Sequence, residues 1–236
     1  MLPVIATPKY DMIVPSTGKT IIYRPYVVKE EKILLIALET ENETAIERAV
    51  TDIIKACVET PIDIKSLPMF DIEYMFTTLR SKSVGEGVTV NLECQNDKCD
   101  SKLDYKINLD DIYINNLDIE RDMNIKINDD VSVDIKFLSY NDTLTQAQRA
   151  TDTEAAINSV AKTIEIIYSG EETFATKDAP FKEVVRFVES LNNDQFAKIV
   201  EFMQDAPTLS YDVSYKCKKC DHENARQLKG LTDFFS

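Results

Sequence analysis

The chain has 236 residues, with 41 Asp+Glu against 27 Lys+Arg, a formal net charge of −14, one His, five Gly and no Trp. At 44% hydrophobic and 29% charged it has the make-up of a globular protein, with enough length for one large domain or two small ones. The scarcity of Gly and His argues against Gly-rich phosphate loops, HExxH proteases and His-rich metal centres, and the charge repels nucleic acid and anionic lipid while favouring proteins with basic or apolar surfaces, or simply keeps the protein soluble.

The start, Met1 to Pro8, has no basic segment and is interrupted by prolines, so it does not read as a signal peptide. No apolar run approaches the ~18 residues of a membrane span. The five Cys are therefore read in a reducing compartment, where metal binding or burial is favoured over disulfides. Residues 9–18 read as an irregular lead-in. Two β-rich runs follow, Thr20–Val28 and Ile33–Leu38, joined by the polar Lys29-Glu30-Glu31-Lys32. Pro25 lacks an N–H and marks an edge or a bulge. Ile46, Val50, Ile53, Ile54 and Cys57 form one helical stripe, with Asn42 as N-cap and Cys57 as a small buried hydrophobe. A second helix spans about 71–81 and closes at Gly85 or Gly87, either of which can take φ > 0.

The middle of the chain alternates with a period of two: 88–92, 103–109, and a hairpin of 125–127 with 131–137. This predicts antiparallel strands with one face buried. From Asp104 to Asp134 nine acids meet three bases, which predicts an acidic surface. The spacing then predicts a long helix over 143–168, with Ala147, Ala150, Ile157, Val160, Ala161, Ile164 and Ile167 on its buried side, and a loop at 169–173. Asp178 caps a helix carrying Phe181, Val184, Val185, Val188 and Leu191, and Asn192-Asn193 breaks it. A further helix carries Phe196, Ile199, Val200 and Met203, and strand 209–215 follows. The last apolar residues, Leu228, Leu231, Phe234 and Phe235, are costly to expose, so this tail docks on the protein itself or on a partner. The order predicts an α+β fold, an antiparallel sheet with helical excursions. Its segments are 1–140 (with the first Cys pair), 141–208 (helical) and 209–236 (returning strand, second Cys pair and docking tail), together one compact unit.

Four of the five Cys form two pairs: Cys94-x₄-Cys99 between strands 88–92 and 103–109, and Cys217-x₂-Cys220 after strand 209–215. A tight turn at a strand tip points two thiolates at one ion, so the two pairs read as knuckles of a closed Cys₄ zinc site. The stretch from Cys217 to Glu223 closely resembles the second knuckle of zinc ribbons, in which the neighbouring His is usually not a ligand. More than a hundred residues separate the pairs, so strand 209–215 must return beside strand 88–92. Metal-free pairs and disulfides are the alternatives. His222 is the only imidazole, and nothing selects a nucleophile or an orienting acid for it, so the chain does not read as an enzyme. The bases Lys216, Lys218, Lys219, Arg226 and Lys229 could touch phosphate, as in a zinc-ribbon nucleic-acid module. They could equally offset the charge of a metal–thiolate centre.

The N-terminal stretch Leu2-Pro3-Val4-Ile5, Pro15-Ser16-Thr17-Gly18-Lys19, Arg24-Pro25-Tyr26 and Lys29 to Lys32 is followed by Asp71 to Phe76, Leu79 to Glu86 and the first Cys pair. This pattern resembles the baseplate hub subunit or hub-assembly proteins of T-even-type contractile-tailed bacteriophages. The resemblance covers roughly the first hundred residues, and the late C-x-x-C adds to it. It implies a tail-assembly role, in the host cytoplasm during assembly or in the virion tail baseplate. The implied partners are hub or tape-measure proteins, with no small-molecule substrate; the sequence itself offers no membrane span, and its charge of −14 disfavours nucleic acid without removing it as the alternative. It carries over no site residues, so Cys94, Cys99, Cys217 and Cys220 remain metal candidates on their spacing alone.

Overall fold

The structure, a computed structural model, describes residues 5–40, 42–118, 120–144 and 152–235. Its elements run β1 (Tyr10–Ile13), β2 (Thr20–Tyr23), α1 (Val28–Glu39), α2 (Glu43–Cys57), α3 (Met69–Val84), β3 (Gly87–Glu93), β4 (Lys102–Asn108) and β5 (Tyr113–Asn115). Next come β6 (Asn124–Lys126), β7 (Val131–Ile135), α4 (Tyr140–Leu144), α5 (Asp152–Thr163), β8 (Ile164–Ser169) and β9 (Glu172–Ala175). The chain closes with α6 (Phe181–Glu189), α7 (Asn193–Gln204), β10 (Thr208–Lys216), β11 (Glu223–Lys229) and α8 (Gly230–Phe235). This is a mixed α+β fold in which every strand pairing is antiparallel. The chain divides into two compact units. Unit 1 comprises Met1–Ile64, Phe70–Leu117 and Pro207–Ser236, and unit 2 comprises Lys65–Met69 and Asp118–Ala206.

In unit 1 the N-terminal stretch read as irregular is strand β1, paired with β2 so that Tyr10 lies opposite Tyr23. The second apolar run is not a strand: Ile33–Leu38 lies inside α1. Its start is fixed by Glu30, whose carboxylate accepts from the Val27 N–H at 3.0 Å and from the Arg24 guanidinium at 2.9 Å. Burial would raise the Glu30 carboxyl, but Arg24, the Val27 N–H and Lys29 outweigh it and hold it at about 2. Residues 29–39 are mostly Lys, Glu, Leu and Ala, good helix formers, and a short unbroken apolar run fits either state until such a cap decides. In α2 the expected stripe holds: Val50, Ile53, Ile54 and Cys57 are buried, and the Asn42 side chain accepts from the Ala45 N–H at 3.0 Å. Burial pushes the Cys57 thiol up to about 11. Helix α3 ends at Gly85, with φ +121°, while Gly87 opens β3.

The knuckle end of unit 1 is built from two hairpins. Strands β3 and β4 form one, in register from Gly87–Asn108 to Glu93–Lys102. Strand β10 pairs with β11 on one side and with β5 on the other. The returning strand thus comes back to this unit, but it meets β3 through side chains and not through a ladder. Val90 and Leu92 of β3, Ile107 of β4, Leu209 and Val213 of β10, Leu228 of β11 and Phe234 of α8 form one buried cluster. The C-terminal tail therefore docks on the chain's own hairpins. Gly230 opens α8 at φ +66°, and a Cβ there would stand 3.0 Å from Glu73 Oε1, which accepts from the Leu231 N–H at 3.3 Å.

Unit 2 holds the sheet β6-β7-β8-β9. Its core joins Ile127, Val133 and Ile135 to Val160, Ala161, Ile164, Val184, Val188 and Ile199. The expected long helix stops at Thr163 and continues as strand β8, because Ile164, Ile166, Ile167 and Tyr168 are β-branched or aromatic and pair with β7 and β9. Ala147 and Ala150 of that expectation lie outside the described residues. The expected loop is the tip of the β8–β9 hairpin, where Ser169 faces Glu172 across Gly170 at φ +60°. Asp178 does not cap α6: Pro180 holds the N-cap position. Asn192 caps α7, and the Gln195 side chain bonds back to the Asn192 N–H at 2.9 Å. The acidic run of 104–134 is shared between the two units and is not one sheet face.

Candidate metal centre

Each Cys pair sits where a hairpin turns. In the first, the Cys94 N–H donates to Ser101 O at 2.9 Å and the Cys99 N–H to Asn96 O at 2.8 Å. In the second, the Cys217 N–H donates to His222 O at 2.8 Å and the Asp221 N–H to Cys217 O at 3.0 Å, with Asp221 in the left-handed region at φ +57°. These turns close the β3–β4 and β10–β11 hairpins, and the shared apolar cluster sets the two tips side by side.

The tips are joined by hydrogen bonds as well. Asn224, buried on β11, accepts from the Gln95 N–H at 2.7 Å and donates to His222 O at 3.0 Å, while Gln95 Oε1 accepts from the Ala225 N–H at 3.2 Å. The Tyr215 hydroxyl donates to Glu93 O at 2.6 Å, and its ring lies 6.3 Å from that of Tyr105. Lys219 pairs with Asp100 across the two turns.

The result is that all four predicted cysteines converge, with their sulfurs within 4.8 Å of one another. Cys94 Sγ lies 3.6 Å from Cys220 Sγ, and Cys99 Sγ lies 3.8 Å from Cys217 Sγ. A disulfide needs about 2.05 Å, so these are not bonded pairs. A tetrahedral ion with metal–sulfur bonds of about 2.3 Å sets its sulfurs about 3.8 Å apart, close to the observed separations. The group can therefore hold a metal ion. The backbone N–H groups of Lys219 and Cys220 stabilise the Cys217 thiolate and pull its thiol down to about 6. At Cys99 the Ser101 backbone hydrogen bond acts the same way, but burial and the three neighbouring sulfurs outweigh it and push the thiol up to about 12. Cys94 is likewise raised against a backbone hydrogen bond from Asn96. One thiolate forms readily at Cys217, and a bound cation would offset the charge of Cys94 and Cys99 ionising beside it. Asn96 Nδ2 adds a contact to Cys220 Sγ at 3.7 Å.

The family model for the T4 bacteriophage base plate protein matches residues 7–236. The chain belongs to this family. The match to the base plate protein includes residues 104–205, to which the sequence resemblance did not extend. No curated protein and no solved structure matches it.

His222 is exposed and joins the centre through its backbone carbonyl. Of the five bases near the second knuckle, Lys216 pairs with Asp221 at 3.1 Å, Lys219 with Asp100, and Arg226 with Asp233 at 3.9 Å. Among the described residues no helix is long and apolar enough to cross a membrane. The sequence reading missed strand β11 and with it Asn224 and the Gln95 clasp. The signal was a weak period of two, Asn224, Arg226 and Leu228, masked by the polarity of its inward positions.

Proposed function

We propose that this base plate protein is a hub component or hub-assembly protein, acting by binding other tail proteins with no catalytic step of its own, and that Cys94, Cys99, Cys217 and Cys220 hold one structural zinc ion. The observation that carries the metal reading is the closed arrangement of four sulfurs in a chain of this family. Four protein thiolates fill a tetrahedral shell and leave no open position for a substrate, which is the character of a structural site, and an all-sulfur tetrahedron suits zinc. Zinc bound there would neutralise the clustered thiolates and fix both hairpin tips. The chain's own residues do the rest: Asn224 and Gln95 hold the turns together, and Phe234 seals the hairpins below them.

The net charge of −14 suits partners with basic or apolar surfaces. The hub and tape-measure proteins are the partners proposed, met in the host cytoplasm during assembly and retained in the tail baseplate. Co-expression with each neighbouring tail protein tests the partner reading: a stable complex with a hub or tape-measure protein is expected, and failure to bind any of them removes it. Metal analysis of the purified chain tests the zinc reading separately.

A further inference from the structure

From Ile33 to Leu38, helix α1 is apolar on both sides. Its inner side carries the buried Ala37. Its outer side leaves Val28 79%, Leu35 54%, Ile36 52% and Ile33 44% exposed. A helical stretch with apolar residues on both sides is normally covered on both. The outward positions Val28, Lys32, Leu35, Ile36 and Glu39 follow i, i+4, i+7, i+8 and i+11, a single stripe along the helix. The two charges in this stripe are of opposite sign and lie on either side of Leu35 and Ile36. Among the described residues neither Lys32 nor Glu39 takes part in an ion pair, whereas Arg24 and Lys29 nearby are both paired with Glu30.

We propose that this face is where two copies of the chain meet. The stripe is complementary to itself when reversed. Two α1 helices packed antiparallel about a two-fold axis, with Lys32 opposite Glu39 of the second copy, set Leu35 opposite Ile36 at the axis. Symmetry then repeats both contacts. A parallel arrangement would bring Lys32 onto Lys32 and Glu39 onto Glu39, so the charges select the antiparallel one. One helix pair covers less area than a standard stable interface, so the dimer is weak, forming at micromolar concentration and above. The proposal is independent of the metal centre.

Sedimentation velocity of the full-length chain over a concentration series tests it, with circular dichroism as the check on folding. The wild type is expected to pass from monomer to dimer, and Leu35→Lys to stay monomeric. Lys32→Glu and Glu39→Lys should each weaken the dimer about tenfold or more, and the double exchange should restore it to within about threefold of the wild type. Should Leu35→Lys fail to fold, the charge exchanges, at exposed positions, decide the matter. A wild type that stays monomeric at every concentration overturns the proposal. So does a dimer indifferent to Leu35→Lys, a double exchange no better than either single one, or an α1 face that binds only a different tail protein.

Discussion

In unit 2, Val133, Ile135, Ile164, Val184, Val188 and Ile199 close over one another, and side chains from three strands and three helices fill one apolar core. At the knuckle end of unit 1 the apolar cluster is smaller. It lies along the hairpins, while the tips beyond it are built of Gln95, Asn96, Asp97, Lys98, Lys218, Lys219 and Asp221. Those tips have little to bury against each other. Set side by side by the cluster behind them, they are joined by a polar clasp through Asn224 and Gln95, with the four sulfurs gathered beside it. The chain thus uses side-chain volume where helices can cover a sheet, and hydrogen bonds where two polar turns meet.

The largest expected effect breaks the tip end of that comparison. Cys217→Ser removes the thiol that the Lys219 and Cys220 N–H groups favour as thiolate and should lose about one metal ion per chain and lower the melting temperature by roughly 10–20 °C, since metal binding energy is folding energy. A thermal melt with parallel metal analysis checks it. Ile199→Ala attacks the other end: it empties part of the unit 2 core and should cost about 2–5 kcal/mol in denaturant unfolding while leaving metal content untouched. If it also released metal, the two regions would not be stabilised separately. Asn224→Ala leaves the Gln95 N–H without its acceptor and should cost about 1–3 kcal/mol, with metal lost at lower chelator concentration than in the wild type. Lys216→Ala removes one exposed ion pair beside the second knuckle and should change stability by less than about 1 kcal/mol in the same titration.

The legibility of the sequence follows the same division. The Cys pairs were readable because a knuckle is local: its spacing is set by the turn that aims two sulfurs at one point. Helix α2 was readable because its stripe and its Asn42 cap agree. Helix α1 was misread because the Ile33–Leu38 run has no polar interruption to reveal a period, and its N-cap is Val27, closed by the Glu30 carboxylate, where a Ser, Thr, Asp or Asn would have signalled a helix start. The junction at Thr163 was hidden for a related reason. Ile164 and Ile167 continue the helical spacing of α5, and only pairing with β7 and β9 turns them into a strand. Strand β11 was hidden because its key inward residue is an asparagine, buried for its hydrogen bonds and not for its hydrophobicity.

The central claim is that two distant knuckles form one metal centre, and elemental analysis of the purified full-length chain tests it most directly. The account predicts close to one zinc ion per chain in the wild type, falling together when either Cys94 or Cys217 is replaced by Ser. A wild-type chain that is folded and free of metal, or a metal content indifferent to one of the two knuckles, would contradict it.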